Sequence, residues 1–322
     1  MEKAGMEKAS MEKASILHLF TAAKNASPFD INMAYDAGFD KIVPYTNVEL
    51  AEVAGLTQDA IFSRSPSGVK REGIFIGGRD IDLAMQMLHA AKKSMFAPFA
   101  CSVFADPSGA FTTAAAMIAK IEVHLKAKLA EDLHGKTLCV FGATGPVGGC
   151  AAVIAAQLGA HVQLVAHNSV ARVEAKAAHW SSEYQINLQV VDGSTDAKKA
   201  DILAQAEIVI SAAAAGVQVI KLEQLMLATR LKIVADVNAV TPNGVQGVDV
   251  GYDGVLVAGT QIYGIGAMAI GQLKYATQHQ LLKQMLPNNQ MLSNERQQQD
   301  KPKYLEFMAA FNLARELSKN PS

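Results

Sequence analysis

Three glycines spaced three residues apart are the first feature of the chain that could do chemistry. The stretch "VFGATGPVGGC" places Gly142, Gly145 and Gly148 between an apolar run and a run of small residues. A strand that turns into a helix there leaves backbone N–H groups unpaired, and the helix dipole adds partial positive charge. Such a turn suits a pyrophosphate, so the pattern predicts a dinucleotide contact at Gly142, Thr144, Gly145, Pro146, Val147 and Gly148. The alternative is a glycine-rich packing turn.

The residues after the next apolar run bear on which dinucleotide binds. The run "HVQLVAH" leads into His167, Asn168, Ser169 and Arg172, and no carboxylate stands among them. A carboxylate there would accept from the ribose 2′-OH of NAD, whereas hydroxyl, amide and guanidinium groups suit the 2′-phosphate of NADP. We therefore predict NADP as the cofactor, with NAD possible. The alternative role of Arg172 is that of a solvated helix residue.

Two more cofactor contacts are predicted where later strands end, because ligands of open α/β sheets bind at the carboxyl ends of strands. Ala213 lies in the small-residue stretch "SAAAAG", which would let a dinucleotide lie flat, although close helix packing explains it as well. Asn238 lies in "DVNA" and is the candidate for the nicotinamide side.

The elements that must position these residues alternate between short apolar runs and helical patterns, which predicts an α/β fold with parallel strands. We predict a Rossmann-type NAD(P)-binding domain over 111–270, which opens with a long helix over 111–133. A smaller open α/β substrate domain is predicted over 16–110, joined by C-terminal helices within 271–322. The run "GVLVAGTQIYGIGAMAIG" predicts a strand that passes into a glycine-rich loop. Residues 1–15 repeat one polar pentapeptide and are predicted to be disordered, and 287–303 is predicted to be a surface loop.

Composition argues against several classes of protein. A formal net charge of −1 disfavours a nucleic-acid partner and a polybasic membrane patch, and no apolar run is long enough to span a bilayer. The 3 cysteines and 8 histidines form no CxxC motif and no ligand pairing, so we predict no metal site. Scattered cysteines of this kind are typical of a reducing compartment, and we expect a cytoplasmic protein.

Several separate motifs occur in one order along the chain: "SPFDINMAYDAGFD", "GIFIGG", "FADPSGAFTTAAAM", "GATGPVG", "ADVNAVTPNGVQGVD" and "GIGAMAIGQLKY". From about Ile16 onward the chain resembles the bacterial NAD(P)-dependent methylene-tetrahydromethanopterin dehydrogenases of methylotrophs. The resemblance implies hydride transfer from methylene-tetrahydromethanopterin to NADP+ or NAD+, giving the methenyl form, in one-carbon (formaldehyde) oxidation. It also implies an active site between two domains, no metal or flavin, and a homotrimer or homohexamer.

The resemblance places Lys274, in "IGQLKY", at the reacting centre. Hydride leaves a carbon bonded to two nitrogens and no proton moves, so orientation and electrostatics are expected rather than a general base. A cation disfavours a growing cation beside it, so Lys274 is expected to orient the pterin or to be neutral; its alternative is a helix-surface lysine. The candidate pterin contacts, each with helix capping as the alternative, are Asp30, Asp106, Ser108, Thr112 and Thr113.

Three other functions compete with this interpretation. The same chemistry could act on methylene-tetrahydrofolate with NADP, and a non-catalytic NADP-binding sensor could use the same fold. A carbonyl reductase would need a proton donor such as a Tyr-xxx-Lys pair, but the residue four positions after Tyr184 is Leu188.

Overall fold

The computed structural model of the chain describes residues 14–287 and 301–319. The predictions of disorder over 1–15 and of a surface loop over 287–303 therefore lie almost wholly outside the described residues. In chain order the strands are β1 (Ile16–Phe20), β2 (Lys41–Tyr45), β3 (Glu72–Ile76), β4 (Ser102–Ala105), β5 (Thr137–Phe141), β6 (His161–Ala166), β7 (Leu188–Asp192), β8 (Ile208–Ser211), β9 (Ile233–Asp236), β10 (Asp253–Leu256), β11 (Tyr263–Ile265) and β12 (Tyr304–Leu305). The helices are α1 (Pro28–Asp36), α2 (Val53–Phe62), α3 (Ile81–Lys93), α4 (Ala110–His124), α5 (Pro146–Gln157), α6 (Val170–Tyr184), α7 (Asp196–Gln205), α8 (Leu222–Leu227), α9 (Ala267–Gln284) and α10 (Phe307–Lys319).

The first sheet has the strand order β12-β4-β3-β1-β2, and every pair in it is parallel. The chain leaves β1 for β2 on one side and then crosses to β3 on the other, so the topological switch point lies between β1 and β3. Strands β3 and β4 are buried along their whole length, which matches their continuous apolar runs. Strand β12, from near the C-terminus, adds to the edge beside β4.

The second sheet has the order β10-β11-β9-β8-β5-β6-β7. From β5 the chain builds outward through β6 and β7, then returns to the other side for β8, β9 and β11, all parallel. This is the doubly wound order of a Rossmann fold, with its switch point between β5 and β8. The predicted α/β fold with a Rossmann-type sheet is confirmed.

The run after residue 253 begins as a strand, as predicted, but the stretch predicted as a glycine-rich loop contains a second strand. Strands β10 and β11 form an antiparallel hairpin, and β11 also pairs in parallel with β9. The chain reverses because Gly259 adopts φ +76°, and the Val257 N–H donates to the Ile262 carbonyl at 2.8 Å. One apolar run thus holds two short strands.

Helix α4 is packed between the two sheets and is buried along most of its length. Its many alanines let neighbouring backbones approach closely, and it packs against α5, α9 and α10. It ends earlier than the predicted 111–133: the chain widens into a π-turn over Leu125–Leu129 and then leaves the helix at Ala130, which has φ +56°. The helix therefore joins the two sheets through one shared core rather than bridging them in solvent.

Candidate functional site

The glycine turn lies at the switch point of the second sheet, between β5 and α5. Gly142 has φ +78°, and a Cβ on it would lie 2.3 Å from the Ala212 carbonyl oxygen. A Cβ on Gly148 would lie 2.5 Å from the Gly142 carbonyl oxygen, whereas one on Gly145 would meet no atom closer than 3.2 Å. Gly142 and Gly148 are therefore required by packing, and Gly145 keeps the mouth of the turn open.

The turn offers what an anionic group needs. Pro146 begins α5, and the first-turn N–H groups of Val147 and Gly148 lie too early in the helix to have an intrahelical carbonyl partner. Thr144, Gly145 and Val147 are half-buried, so a ligand can reach them. The predicted pyrophosphate contacts are brought together on one helix N-terminus, and the cradle fits a dinucleotide.

Sequence reasoning missed the fourth glycine, Gly149. A Cβ on it would lie 2.4 Å from the Trp180 ring, which is 1% exposed. The Trp180 Nε1–H donates to Asp82 Oδ1 at 2.9 Å, and Lys176 Nζ donates to Asp82 Oδ2 at 2.7 Å. Asp82 lies in the first turn of α3, so these contacts connect α6, on which α5 packs through Gly149, to the elements of the first sheet. The second glycine of the "GG" pair was the available signal.

The predicted 2′-phosphate contacts lie together at the carboxyl end of β6 and are exposed. The Ser169 hydroxyl accepts from the Arg172 N–H at 3.3 Å and caps α6, while His167 and Asn168 are open to solvent. The acid on the neighbouring strand is Asp192, and its hydrogen bonds from Lys198 and Ser194 hold the pKa of that carboxyl well below its usual range. That carboxylate is already paired with a cation.

The two predicted contacts after β8 and β9 differ in accessibility. Ala213 is half-buried and reachable. Asn238 is 5% exposed, its Oδ1 accepts from the Gly216 and Val240 N–H groups at 3.2 and 3.0 Å, and its Nδ2 donates to the Pro242 carbonyl at 3.1 Å. In this structure Asn238 ties two loops together, and its nicotinamide contact stays a prediction.

A pocket of about 620 Å³ opens at the other switch point, between β1 and β3 of the first sheet. Four residues predicted to touch the pterin or the reacting centre line it: Asp30, Ser108, Thr113 and Lys274. Sequence reasoning missed other lining residues, including Thr21, Phe29 and Arg79. Residues from α1, α4, α9 and the loops after β1, β3 and β4 thus meet at one place.

Asp106 and Thr112 do not line this pocket. Both are 0% exposed, and Asp106 accepts from the Phe111 N–H, the Thr112 N–H and the Thr112 hydroxyl at 2.9, 3.1 and 2.6 Å. The capping alternative therefore describes what these two side chains do here, because they fix the start of α4. A pterin could contact these two side chains only if the residues that cover them moved, and both contacts stay predictions.

Lys274 is enclosed by an aromatic ring and an amide. Its Nζ lies 3.7 Å from the centroid of the Phe29 ring and donates to Gln278 Oε1 at 2.5 Å. Burial lowers the pKa of Lys274, and the charges of Asp106 and Asp30 oppose that effect. The amine is therefore easier to deprotonate than a surface lysine.

Asp30 lies across the same amide. The Ser27 side chain caps α1, so the Asp30 carboxylate is free to accept from Gln278 Nε2 at 3.0 Å. Burial, and then the charge of Asp106, raise the pKa of Asp30 to about 6. Gln278 follows Lys274 by four residues on one helix, so it lies on the same face, and this spacing was the signal that could have identified it.

The described part of the chain can also be considered for a metal site and for a membrane-spanning helix. Within residues 14–287 and 301–319, no group of three or more His, Cys, Asp or Glu side chains is placed to hold a metal ion. In the same residues, every helix is too short or too polar to cross a membrane.

Comparison with known proteins identifies close relatives. The family model described as "Methylene-tetrahydromethanopterin dehydrogenase, N-terminal" matches residues 28–108. An NAD(P)-dependent methylenetetrahydromethanopterin dehydrogenase of Methylorubrum extorquens is 42% identical over 304 residues, covering 94% of this chain and 99% of the relative. The bifunctional protein MdtA of the same organism is 30% identical over 259 residues, covering 80% of this chain and 88% of that protein.

The chain also resembles a solved structure at lower sequence identity. Shikimate 5-dehydrogenase from Listeria monocytogenes has a TM-score of 0.48 and 13% identity, covering 88% of this chain and 96% of that one. At that distance the assignment of the fold rests on the strand order of the two sheets themselves.

Proposed function

The chain belongs to the NAD(P)-dependent methylenetetrahydromethanopterin dehydrogenase family, and on that premise we propose that it transfers a hydride from methylene-tetrahydromethanopterin to NADP+ or NAD+. The product is the methenyl cation, and the step belongs to the oxidation of one-carbon units such as formaldehyde. We propose that residues 16–110 with the C-terminal helices bind the pterin and that residues 111–270 bind the dinucleotide.

The observation that carries this proposal is the position of Lys274, which lines the pocket of the first sheet from a helix that follows a strand of the second sheet. Helix α9 begins at Ala267, directly after β11 ends at the carboxyl edge of the second sheet. At about 1.5 Å per residue, Lys274 lies about 10 Å further along the helix. Its side chain lines the pocket of the first sheet. A donor in that pocket and an acceptor at the sheet edge would meet near Lys274.

The chain's own residues supply orientation and charge. When bound, NAD(P)+ supplies the hydride acceptor, held at its pyrophosphate by Gly142, Thr144, Gly145, Pro146, Val147 and Gly148. Asp30, Ser108 and Thr113 hold the pterin, and the Phe29 ring limits where it can lie. Lys274 orients the pterin by hydrogen bonding, because a lysine with a lowered pKa can donate a hydrogen bond without a full charge beside the growing cation.

We propose a preference for NADP+. Among His167, Asn168, Ser169 and Arg172 there is no acid to accept from a ribose 2′-OH, and Asp192 is occupied by Lys198. The half-buried Ala213 borders the expected path of the dinucleotide.

A steady-state assay with each carrier and each nicotinamide tests the proposal. We expect turnover of methylene-tetrahydromethanopterin, with NADP+ at least as efficient as NAD+. Turnover of methylene-tetrahydrofolate alone would overturn the choice of carrier. NADP+ binding without turnover of either carrier would instead identify a sensor.

A homotrimer or homohexamer in the cytoplasm is part of the same proposal. The three cysteines of the chain are free and buried, which is compatible with a reducing compartment. Light scattering of the purified protein measures the assembly, and fractionation of the native cell measures the location.

A further inference from the structure

The amide of Gln278 is buried between two ionisable side chains from distant parts of the chain. It is 0% exposed; its Oε1 accepts from Lys274 Nζ, and its Nε2 donates to Asp30 Oδ1, 248 residues away. A lysine offers only donors and an ionised carboxylate only acceptors, so these two partners determine which way the amide points. Gln278 therefore satisfies both groups at once, although it carries no charge.

We propose that Gln278 is a positioning residue for the hydride transfer: its amide holds the Lys274 amine at the pocket and separates that amine from the Asp30 carboxylate. This inference rests on the proposed function, because it assigns Gln278 to the same pocket. Direct pairing of the lysine with the carboxylate would turn the amine away from a substrate. Leaving either group buried without a partner would cost more than the amide does.

The charges around the amide come from several elements. Asp30 lies on α1, Asp106 lies at the start of the α4 connection, and Arg79 lines the pocket from the loop after β3. Thr113 of α4 and the Phe29 ring contribute no charge. Hydrogen bonding by Gln278 lowers the pKa of Asp30, against burial that raises it. By the same reasoning, accepting from Lys274 favours its charged form.

Two substitutions separate positioning from packing. Gln278→Met keeps the length of the side chain but removes both hydrogen bonds, so the pKa of Lys274 should fall. Gln278→Glu keeps an acceptor for Lys274 and adds a negative charge beside it, so the pKa of Lys274 should rise. The pH dependence of Lys274 acetylation by acetic anhydride, followed by mass spectrometry on the folded full-length protein, measures both shifts.

The matched control is Thr277→Val. Thr277 is also 0% exposed, but its hydroxyl donates only along its own helix, to the Leu273 carbonyl at 2.7 Å. This variant should leave the acetylation midpoint of Lys274 unchanged. If all three variants moved the midpoint in one direction, or none moved it, Gln278 would be a packing residue and the inference would be overturned.

Activity gives the second measurement. Gln278→Met should lower kcat/KM for methylene-tetrahydromethanopterin about tenfold, the effect of losing one hydrogen bond that orients the amine, and leave the NADP+ Kd unchanged. If Gln278→Met does not fold, the rise expected in Gln278→Glu decides the question alone. If the wild-type protein showed no turnover, the proposed function would be overturned. The acetylation measurement tests the role of Gln278 independently of turnover.

Discussion

The candidate sites at the two switch points of this molecule are formed by different chemical groups. At the second sheet, the candidate site is formed by the backbone: Gly142 and Gly148 have no room for a side chain, and the first N–H groups of α5 have no intrahelical partner. At the first sheet, the candidate site is made of side chains, and the amide of Gln278 is hydrogen-bonded to both Lys274 and Asp30.

The difference predicts how each site responds to change. Backbone amides do not titrate, so the affinity of the glycine turn should depend little on pH through its own groups. The pocket contains a carboxyl whose pKa is raised to about 6 and an amine whose pKa is lowered, so its behaviour should depend on pH. Substitutions at the two switch points should therefore separate dinucleotide binding from pterin chemistry.

The largest effect is expected at the glycine turn. Gly145→Val should place a branched side chain where the pyrophosphate lies and weaken NADP+ binding about 1000-fold or more, roughly 4 kcal/mol. Calorimetric titration of the folded variant measures this. The control is Gly55→Val on α2, since a Cβ there would meet no atom within 4 Å. Wild-type affinity in folded Gly145→Val protein would contradict the placement of the dinucleotide.

Lys274→Ala should affect the other site alone. Loss of the orienting amine should lower kcat/KM for the pterin by about 10²–10³, roughly 2–4 kcal/mol, with the NADP+ Kd unchanged. Lys274→Arg should not fully restore activity, because the Phe29 ring and the Gly109 backbone crowd the amine and a guanidinium is larger.

Lys283→Ala, on an exposed part of the same helix, is the control for Lys274→Ala. Wild-type turnover of Lys274→Ala at limiting and saturating pterin would show that Lys274 is not at the reacting centre.

Asp30→Asn should stabilise the protein at neutral pH. The pKa of Asp30 is raised from its ordinary value of 3.8 to about 6 in the folded chain, so between these pH values the folded state holds a proton that the unfolded chain has lost. Stability is thus lost as pH rises from about 4 to about 6, and the variant avoids that loss. The gain should approach 3 kcal/mol at about pH 7 and vanish below about pH 4.

Denaturant unfolding at two pH values measures this effect. The exposed Asp36→Asn, on the same helix, should show no such gain. Equal gains at both pH values would contradict a raised pKa at Asp30.

The smallest effect is expected beside the dinucleotide ribose. His167→Asp should shift the ratio of NADP+ to NAD+ affinity about tenfold towards NAD+, because the new carboxylate repels a 2′-phosphate. His161→Asp, at the opposite end of the same strand, is the control. An unchanged ratio would show that the 2′-phosphate lies elsewhere.

The same contrast explains what the sequence could predict. The glycine turn is a local pattern of seven residues, so a strand that turns sharply into a helix could be predicted there from spacing. The Rossmann sheet could be predicted from the alternation of apolar runs and helical patterns. The hairpin of β10 and β11 could not be predicted from the sequence. The residues of β11 become a strand because they pair with β9, which is distant in the sequence, and the glycines around them otherwise indicate a loop. The end of α4 was missed because helix propensity continues past the π-turn.

The pocket of the first sheet could be predicted only in part. Its members Asp30, Ser108 and Lys274 stand in recognisable motifs, but which of their neighbours face the ligand depends on tertiary packing. Asp106 and Thr112 stand beside Ser108 in the same motif, yet they point into the core and fix α4. The pairing of Gln278 with Asp30 spans 248 residues, and no local pattern encodes it.

Transfer of an isotopic label tests the central claim most directly. Methylene-tetrahydromethanopterin with both hydrogens of its one-carbon bridge replaced by deuterium is incubated with NADP+ and the enzyme in ordinary water, and the reduced nicotinamide is analysed by mass spectrometry. Direct hydride transfer predicts NADPH that carries one deuterium from the bridge. NADPH that carries only solvent hydrogen, or no NADPH from a folded protein that binds both ligands, would contradict the account.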